Sequence, residues 1–228
     1  MHETYESRAA AAVAAAQIIK AAVCRRLAAN DEATLVLSGG SSPLGVFTEL
    51  LGLDMPWRRL HVTLSDERWV APDHEASNER MLYRALLGKA NAQAARFLPL
   101  YAADTSIDER SDSLSAQLRT LPFPFACSLL GMGEDGHFAS LFPDAGNLAA
   151  GLDTDNPELV MPVRTAASPH PRISLTLSAL SRSDTVVLLI FGEKKREVLE
   201  IALDEPGRFP VGTLLRQKRA PVRVLWAP

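Results

Sequence analysis

An apolar run from Phe125 to Leu130 reads as a buried strand, and it breaks directly into Gly131-Met132-Gly133-Glu134-Asp135-Gly136-His137-Phe138-Ala139-Ser140-Leu141-Phe142-Pro143. Gly131, Gly133 and Gly136 force a tight turn, because glycine alone takes positive φ without a Cβ penalty. A buried strand that ends in a glycine-rich turn carrying an acid and a histidine narrows the fold strongly. Open α/β sheets build their sites in this way, at the carboxyl ends of strands. The chemistry of the chain is therefore expected here.

The same glycines match the G-x-G-x-x-G dinucleotide fingerprint, but the context does not. That motif opens a long helix, with an acid about 20 residues further on. Here Pro143 interrupts early, and Asp135 would set a negative charge against a pyrophosphate. No clear strand precedes Asp153 or Asp155. The turn is not read as a nucleotide site.

The rest of the chain alternates helix and strand. Thr4 to Ala29 is alanine-rich, with Val13, Ile18, Ile19, Val23 and Leu27 at helical spacing. Thr34 to Leu37 reads as a strand, Ser38-Gly39-Gly40-Ser41-Ser42-Pro43 as a turn, and Leu44 to Leu51 as a helix entered through Pro43. Strand, glycine-serine turn and helix together aim N–H groups and hydroxyls at an anion. It is not a Walker loop, for no Lys-Ser or Lys-Thr follows, and a plain βα turn remains the alternative. Leu60 to Leu64 is the next strand. Asp66-Glu67-Arg68 follows in a loop at its carboxyl end, either as a surface ion cluster or as part of the site. Ser77 to Leu87 is a helix, with Ser77 as N-cap.

A connector with a short strand lies in Asn91 to Tyr101, and Ser106 to Leu121 is an amphipathic helix with early acids. Asn147 to Pro157 reads as loop, and Val160 to Val163 and Arg172 to Leu177 as strands. Thr185 to Phe191 is the most hydrophobic strand. Gly192 opens a helix to Leu203, Pro210 to Leu215 is a short helix, and Val222 to Trp226 a last strand. The pattern predicts a single-domain α/β fold over residues 1–228, with a mostly parallel, Rossmann-like sheet and helices on both faces.

A chain that is 47% hydrophobic and 22% charged, with net charge −3, suits an ordinary globule and offers no basic excess for nucleic acid. The apolar run Ala9 to Ala16 follows Glu3 and Glu6 rather than a basic segment, so it is read as helix and not as a signal peptide. No stretch reaches the ~18 apolar residues of a membrane span. Cys24 and Cys127 read as isolated, packed thiols of a reducing compartment, which points to the cytoplasm. No Gly-x-Ser-x-Gly elbow, no His-Glu-x-x-His and no cysteine pair support covalent or metal-assisted hydrolysis. No metal site is expected.

With these pieces in order, the sequence resembles the 6-phosphogluconolactonase family. The matching segments are Ser38 to Pro43, Asp66-Glu67-Arg68 with Ser77-Asn78, Gly131 to Pro143, Arg172-Ile173-Ser174-Leu175-Thr176 and Gly192 to Lys195. The Asp-Gly-His-x-Ala-Ser-Leu-Phe-Pro block is the most specific of them. The resemblance implies hydrolysis of 6-phospho-D-glucono-1,5-lactone to 6-phosphogluconate in the pentose phosphate pathway, without cofactor or metal. It implies a small phosphosugar lactone as the partner; nucleic acid and membrane are not expected, and the oligomeric state stays open between a monomer and a weak homodimer.

His137 would carry the proton work, since an imidazole titrates around pH 6.5 and both accepts and returns a proton near neutrality. Asp135 would orient its ring, stabilise the imidazolium or cap the turn. Arg68 could hold the carbonyl oxygen or the sugar. Gly40, Ser41 and Ser42 would cradle the phosphate, Arg172 and Lys195 would supply charge, and Asp66 would face the substrate. Lys195 is preferred to Lys194 because it falls on the family's Gly-x-x-Lys pattern. His2, His61, His74 and His170 are read as structural.

Glucosamine-6-phosphate deaminases and isomerases share the fold and a similar Asp-Gly-His turn, which makes them the alternative. Their turn continues to a glutamate immediately before the proline, where this chain has Phe142. A non-catalytic sugar-phosphate sensor is a third reading, disfavoured by the intact His137.

Overall fold

The computed structural model describes residues 2–205 and 207–228. The strands are β1 His2–Thr4, β2 Ala33–Leu37, β3 Leu60–Leu64, β4 Asp66–Arg68, β5 Arg96–Leu98, β6 Cys127–Leu130, β7 Val160–Val163, β8 Arg172–Leu175, β9 Val186–Phe191 and β10 Val222–Ala227. The helices are α1 Arg8–Leu27, α2 Leu44–Gly52, α3 Asn78–Leu82, α4 Ile107–Leu118, α5 Leu148–Leu152, α6 Leu177–Leu180, α7 Glu193–Asp204 and α8 Pro210–Arg216. Seven strands form one sheet in the order β1-β10-β9-β6-β2-β3-β5, and every pairing in it is parallel.

Every residue of β2 and of β6 is buried, so both faces of the sheet centre are covered. Right-handed crossovers fix which helix covers which face. Connections running from β1 toward β5 place α1, α2 and α3 on one side, and those running back toward β10 place α4 to α8 on the other. The packing agrees: α1 lies on α2 and on β10, while α7 lies on α8 and β9. The alanine stripe of α1, with Ala11, Ala12, Ala15, Ala16 and Ala22 buried, lets that helix sit close to the sheet. One continuous hydrophobic core runs from Ala11 to Ala227.

Several elements depart from the expectation, each for a local reason. Thr4 belongs to β1, and α1 starts only at Arg8, where Ser7 caps it by accepting from the Ala10 N–H at 3.2 Å. Asp66-Glu67-Arg68 is strand rather than loop, pairing antiparallel with β8. With β7 it makes a separate small sheet, β4-β8-β7, so the strands at Val160 and Arg172 stand outside the parallel sheet. Arg172 to Leu177 is a strand only to Leu175, because Thr176 caps α6. Asn147 to Pro157 contains the short α5. The helix after Ser77 passes into a π-helical turn at Tyr83–Leu87. The acidic start of α4 is a full capping box, Ser106 with Glu109. Both cysteines are free, but Cys24 is exposed rather than packed.

Candidate active site

Strand order reverses direction between the neighbours β2 and β6. One half of the sheet is built outward through β3 to β5 and the other through β9 to β10. At such a point the loops leaving the carboxyl ends diverge and leave a crevice. Here the crevice is a cavity of about 380 Å3. Ser38 to Ser42 line it from the loop after β2, and Gly131, Gly133, His137 and Phe142 from the loop after β6. β4 contributes Asp66 and Arg68, β8 contributes Arg172, and the first turn of α7 contributes Lys195.

The turn after β6 is folded around its histidine. The Gly133 N–H donates to the His137 carbonyl at 2.9 Å, and the Gly136 N–H to the Gly133 carbonyl at 3.1 Å. A Cβ on Gly133 would stand 2.3 Å from the imidazole, so no other residue fits without moving the ring. Gly136 takes φ +75°, and its carbonyl accepts from the Val211 N–H at 3.0 Å, which pins the turn to the start of α8.

Asp135 Oδ1 lies 2.5 Å from His137 Nδ1 and accepts from the His137 N–H at 3.3 Å. It therefore both caps the turn and orients the ring. Partial burial pushes the Asp135 carboxyl up, but the hydrogen bond and charge of His137 outweigh this and hold it below its usual value. A carboxylate at Nδ1 keeps the ring proton there and leaves the Nε2 lone pair available. The Phe142 ring packs on the imidazole at 4.1 Å.

A buried carboxylate fixes the opposite wall. Glu67 accepts from the N–H groups of Arg68, Asn78 and Glu79, each at 2.7 Å, and from Ser77 Oγ at 3.1 Å. Burial pushes its carboxyl up, while the three N–H donors pull it back only in part. This staple joins β4 to the start of α3 and brings Asn78 to the cavity. Asn78 Oδ1 accepts from Arg68 Nη1, and its Nδ2 donates to the Asp66 carbonyl at 2.9 Å. Arg68 Nη1 also donates to the Ala76 carbonyl at 3.0 Å, so among the described residues Nε and Nη2 are the atoms left for another group.

Asp66 lines the cavity, yet its carboxylate is committed to the protein. Oδ1 accepts from Ser65 at 2.8 Å, Oδ2 from Ser140 at 2.5 Å, and Arg172 Nη1 stands 3.5 Å away. Arg172 Nε donates to Ser168 Oγ at 2.9 Å, and the guanidinium lies over the Phe142 ring. Burial holds Arg172 below the usual arginine value, with the Asp66 charge opposing. Lys195 is half-buried, whereas Lys194 is exposed and faces Glu134 at 3.9 Å. α2 begins at Pro43 without a side-chain cap, and α7 begins at Gly192 without one. The Leu44 N–H donates to the Ser41 carbonyl at 3.4 Å, and the other leading N–H groups of the two helices have no side-chain cap among the described residues and can meet an anion.

The structure brings Gly40, Ser41, Ser42, Asp66, Arg68, His137, Arg172 and Lys195 to one cavity, with Asp135 directly behind His137. Sequence reasoning gave no part to Asn78 beyond the family resemblance, and none to Glu67 as a staple. Their signal was only a pair of polar residues opening a helix ten positions after a polar strand. The remaining histidines lie elsewhere: His61 contacts Glu32 at 2.8 Å, and His74 and His170 pack edge to face. No cluster of three metal-ligating side chains exists among the described residues, and no helix there is long and apolar enough to cross a membrane.

A profile of the family described as glucosamine-6-phosphate isomerases/6-phosphogluconolactonase matches residues 6–226. The 6-phosphogluconolactonase of Mesorhizobium japonicum is 38% identical over 224 residues, which is 98% of this chain and 94% of that one. A crystal structure of a 6-phosphogluconolactonase from Shewanella baltica superposes with a TM-score of 0.94 at 33% identity, covering 100% of this chain and 97% of that one. A monomeric glucosamine-6-phosphate deaminase has a TM-score of 0.77 at 15% identity over 98% of this chain and 96% of that one, a likeness of fold alone. With one profile spanning nearly its whole length and close relatives of one name, the chain belongs to the glucosamine-6-phosphate isomerase/6-phosphogluconolactonase family.

Proposed function

We propose that this protein hydrolyses 6-phospho-D-glucono-1,5-lactone to 6-phospho-D-gluconate, the lactone step of the pentose phosphate pathway, by general acid–base catalysis at His137. The observation that carries the reading is the Asp135–His137 pair, 2.5 Å apart, on a turn that opens into a cavity ringed by arginine and lysine.

A lactone carbonyl is already electrophilic, so the site needs a water, a base, a stabiliser for the oxyanion and an acid for the ring oxygen. Nε2 of His137 takes the proton of the water that attacks C1. Arg68, held by Asn78 and Ala76, offers Nε and Nη2 to the oxyanion. As the intermediate collapses, the bond from C1 to the ring oxygen breaks and the imidazolium returns its proton to that oxygen. The new carboxylic acid loses its proton to solvent. Proton transfer of this kind supplies about 10²–10⁴-fold. The phosphate rests on Gly40, Ser41 and Ser42 with Arg172 and Lys195, and Asp66 serves to hold Arg172 in place.

Phe142 separates this reading from the deaminase one. The residue before Pro143 packs on His137 as an apolar ring and can carry no proton. By resemblance to the deaminases Asp66 would be their proton-abstracting acid, but here it accepts hydrogen bonds from Ser65 and Ser140. A lactone needs no separate ring-opening step. Ammonia and 6-phosphogluconate measured on one enzyme stock, from glucosamine 6-phosphate and from freshly made lactone, test the choice. Lactone hydrolysis without ammonia is expected, and ammonia without lactone hydrolysis would overturn the assignment.

A further inference from the structure

A second cavity, of about 330 Å3, opens between the first turns of α1 and α2 and the carboxyl end of β9. Arg8 and Phe191 line it, and it shares Ser41, Ser42 and Lys195 with the catalytic cavity, which it adjoins. Among the described residues no Asp or Glu side chain lines it.

Arg8 stands at the first position of α1, whose first turn holds no acid. This is the positive end of the helix macrodipole, where a cation is disfavoured. Its Nε donates to the backbone oxygen of Pro228 at 2.9 Å, and its guanidinium lies 5.3 Å from the Phe191 ring centroid. Both contacts aim the group and leave Nη1 and Nη2 without a hydrogen-bond partner among the described residues. No Asp or Glu side chain pairs with Arg8 among them. Lys195, across the cavity, is likewise without a direct ion pair among them. Burial is the main cause that holds Lys195 below its usual value. Glu134 offsets part of this, and the Arg8 charge adds to it. Two cations of like sign therefore flank the serine hydroxyls and the uncapped start of α2. A bound anion relieves that arrangement, and a doubly charged one with three acceptor oxygens relieves it best.

We infer that this annex is the outer half of the phosphate subsite, with Arg8 closing on a phosphomonoester dianion from the side opposite Lys195. Arg8 is then a specificity-determining residue, selecting the phosphorylated lactone over the free one. The inference rests on the phosphosugar reading above.

Arg8→Gln and Arg8→Lys are compared with the unaltered enzyme at low ionic strength, on 6-phosphogluconolactone and on unphosphorylated gluconolactone. Inorganic phosphate is titrated into each protein calorimetrically. Arg8→Gln is expected to raise KM for the phosphorylated lactone about 10-fold with kcat kept within about twofold. The free lactone should be unaffected, phosphate should bind correspondingly more weakly, and Arg8→Lys should recover part of both losses. An unmoved KM, or equal losses on both lactones, would overturn the inference. Phosphate binding that depends on Arg8 in a protein without lactone turnover would support the subsite and refute the lactonase. Turnover with phosphate affinity indifferent to Arg8 would do the reverse.

Discussion

Replacing Asp135 with asparagine tests how His137 is held. The change keeps an oxygen acceptor beside Nδ1 and the His137 N–H, so the turn should fold, but it removes the charge that supports the imidazolium. A hydrogen bond to a charged group contributes about 1.5–3 kcal/mol. The Asp135 side chain is 41% exposed, and solvent screening reduces the figure to about 1–2 kcal/mol. At ~1.36 kcal/mol per tenfold, kcat should fall about 5- to 30-fold. Asp135 does not line the cavity, so KM should hold within about twofold. Steady-state rates on fresh lactone, corrected for spontaneous hydrolysis, give both quantities. An unchanged kcat would refute the coupling of Asp135 to the proton transfer.

Arg172→Ala and Lys195→Ala should each raise KM for the phosphorylated lactone about 10-fold or more while sparing gluconolactone, and equal losses on both would assign them to the carbonyl or to the fold. Gly133→Ala places a methyl 2.3 Å from the imidazole, so it should displace the ring and cut kcat about 10²-fold with the protein still folded by circular dichroism. Glu79 is half-buried with one oxygen unpartnered among the described residues, and burial, then the Glu67 charge, raises its pKa from 4.5 to about 6. The unfolded chain releases this proton first, so stability falls as pH rises from 4.5 to about 6 and the penalty is full above that. Discounted for exposure it is about 1 kcal/mol, so Glu79→Gln should raise Tm by about 2–4 °C at pH 7.5 and leave it unchanged near pH 4, as differential scanning calorimetry would read.

The histidine turn was legible because its information is local: a buried strand, three glycines and an acid two residues before a histidine all lie between Phe125 and His137. The sheet centre was legible too, since β9 is a continuous apolar run and β2 a β-branched and apolar one. What joins them was not. That β2 and β6 are neighbours, and that the order reverses between them, follows from long-range pairing that no local pattern encodes. β4 escaped because Asp66, Glu67 and Arg68 have no apolar alternation, and their strand exists only through its pairing with β8. α5 escaped because five residues with an internal glycine carry no helical period. Glu67 read as one charge of a cluster, on the surface or in the site; only the tertiary fold gathers the four donors that make it a buried staple. Arg8 drew no attention because nothing in its neighbourhood along the chain mentions Ser41 or Lys195.

If His137 moves the protons, the kcat of His137→Ala on saturating, freshly prepared 6-phospho-D-glucono-1,5-lactone must show it. A folded variant is expected whose kcat is lower by roughly 10²-fold or more, with KM within a few-fold of the unaltered enzyme. A folded variant that turns over the lactone within about threefold of the unaltered rate would contradict it.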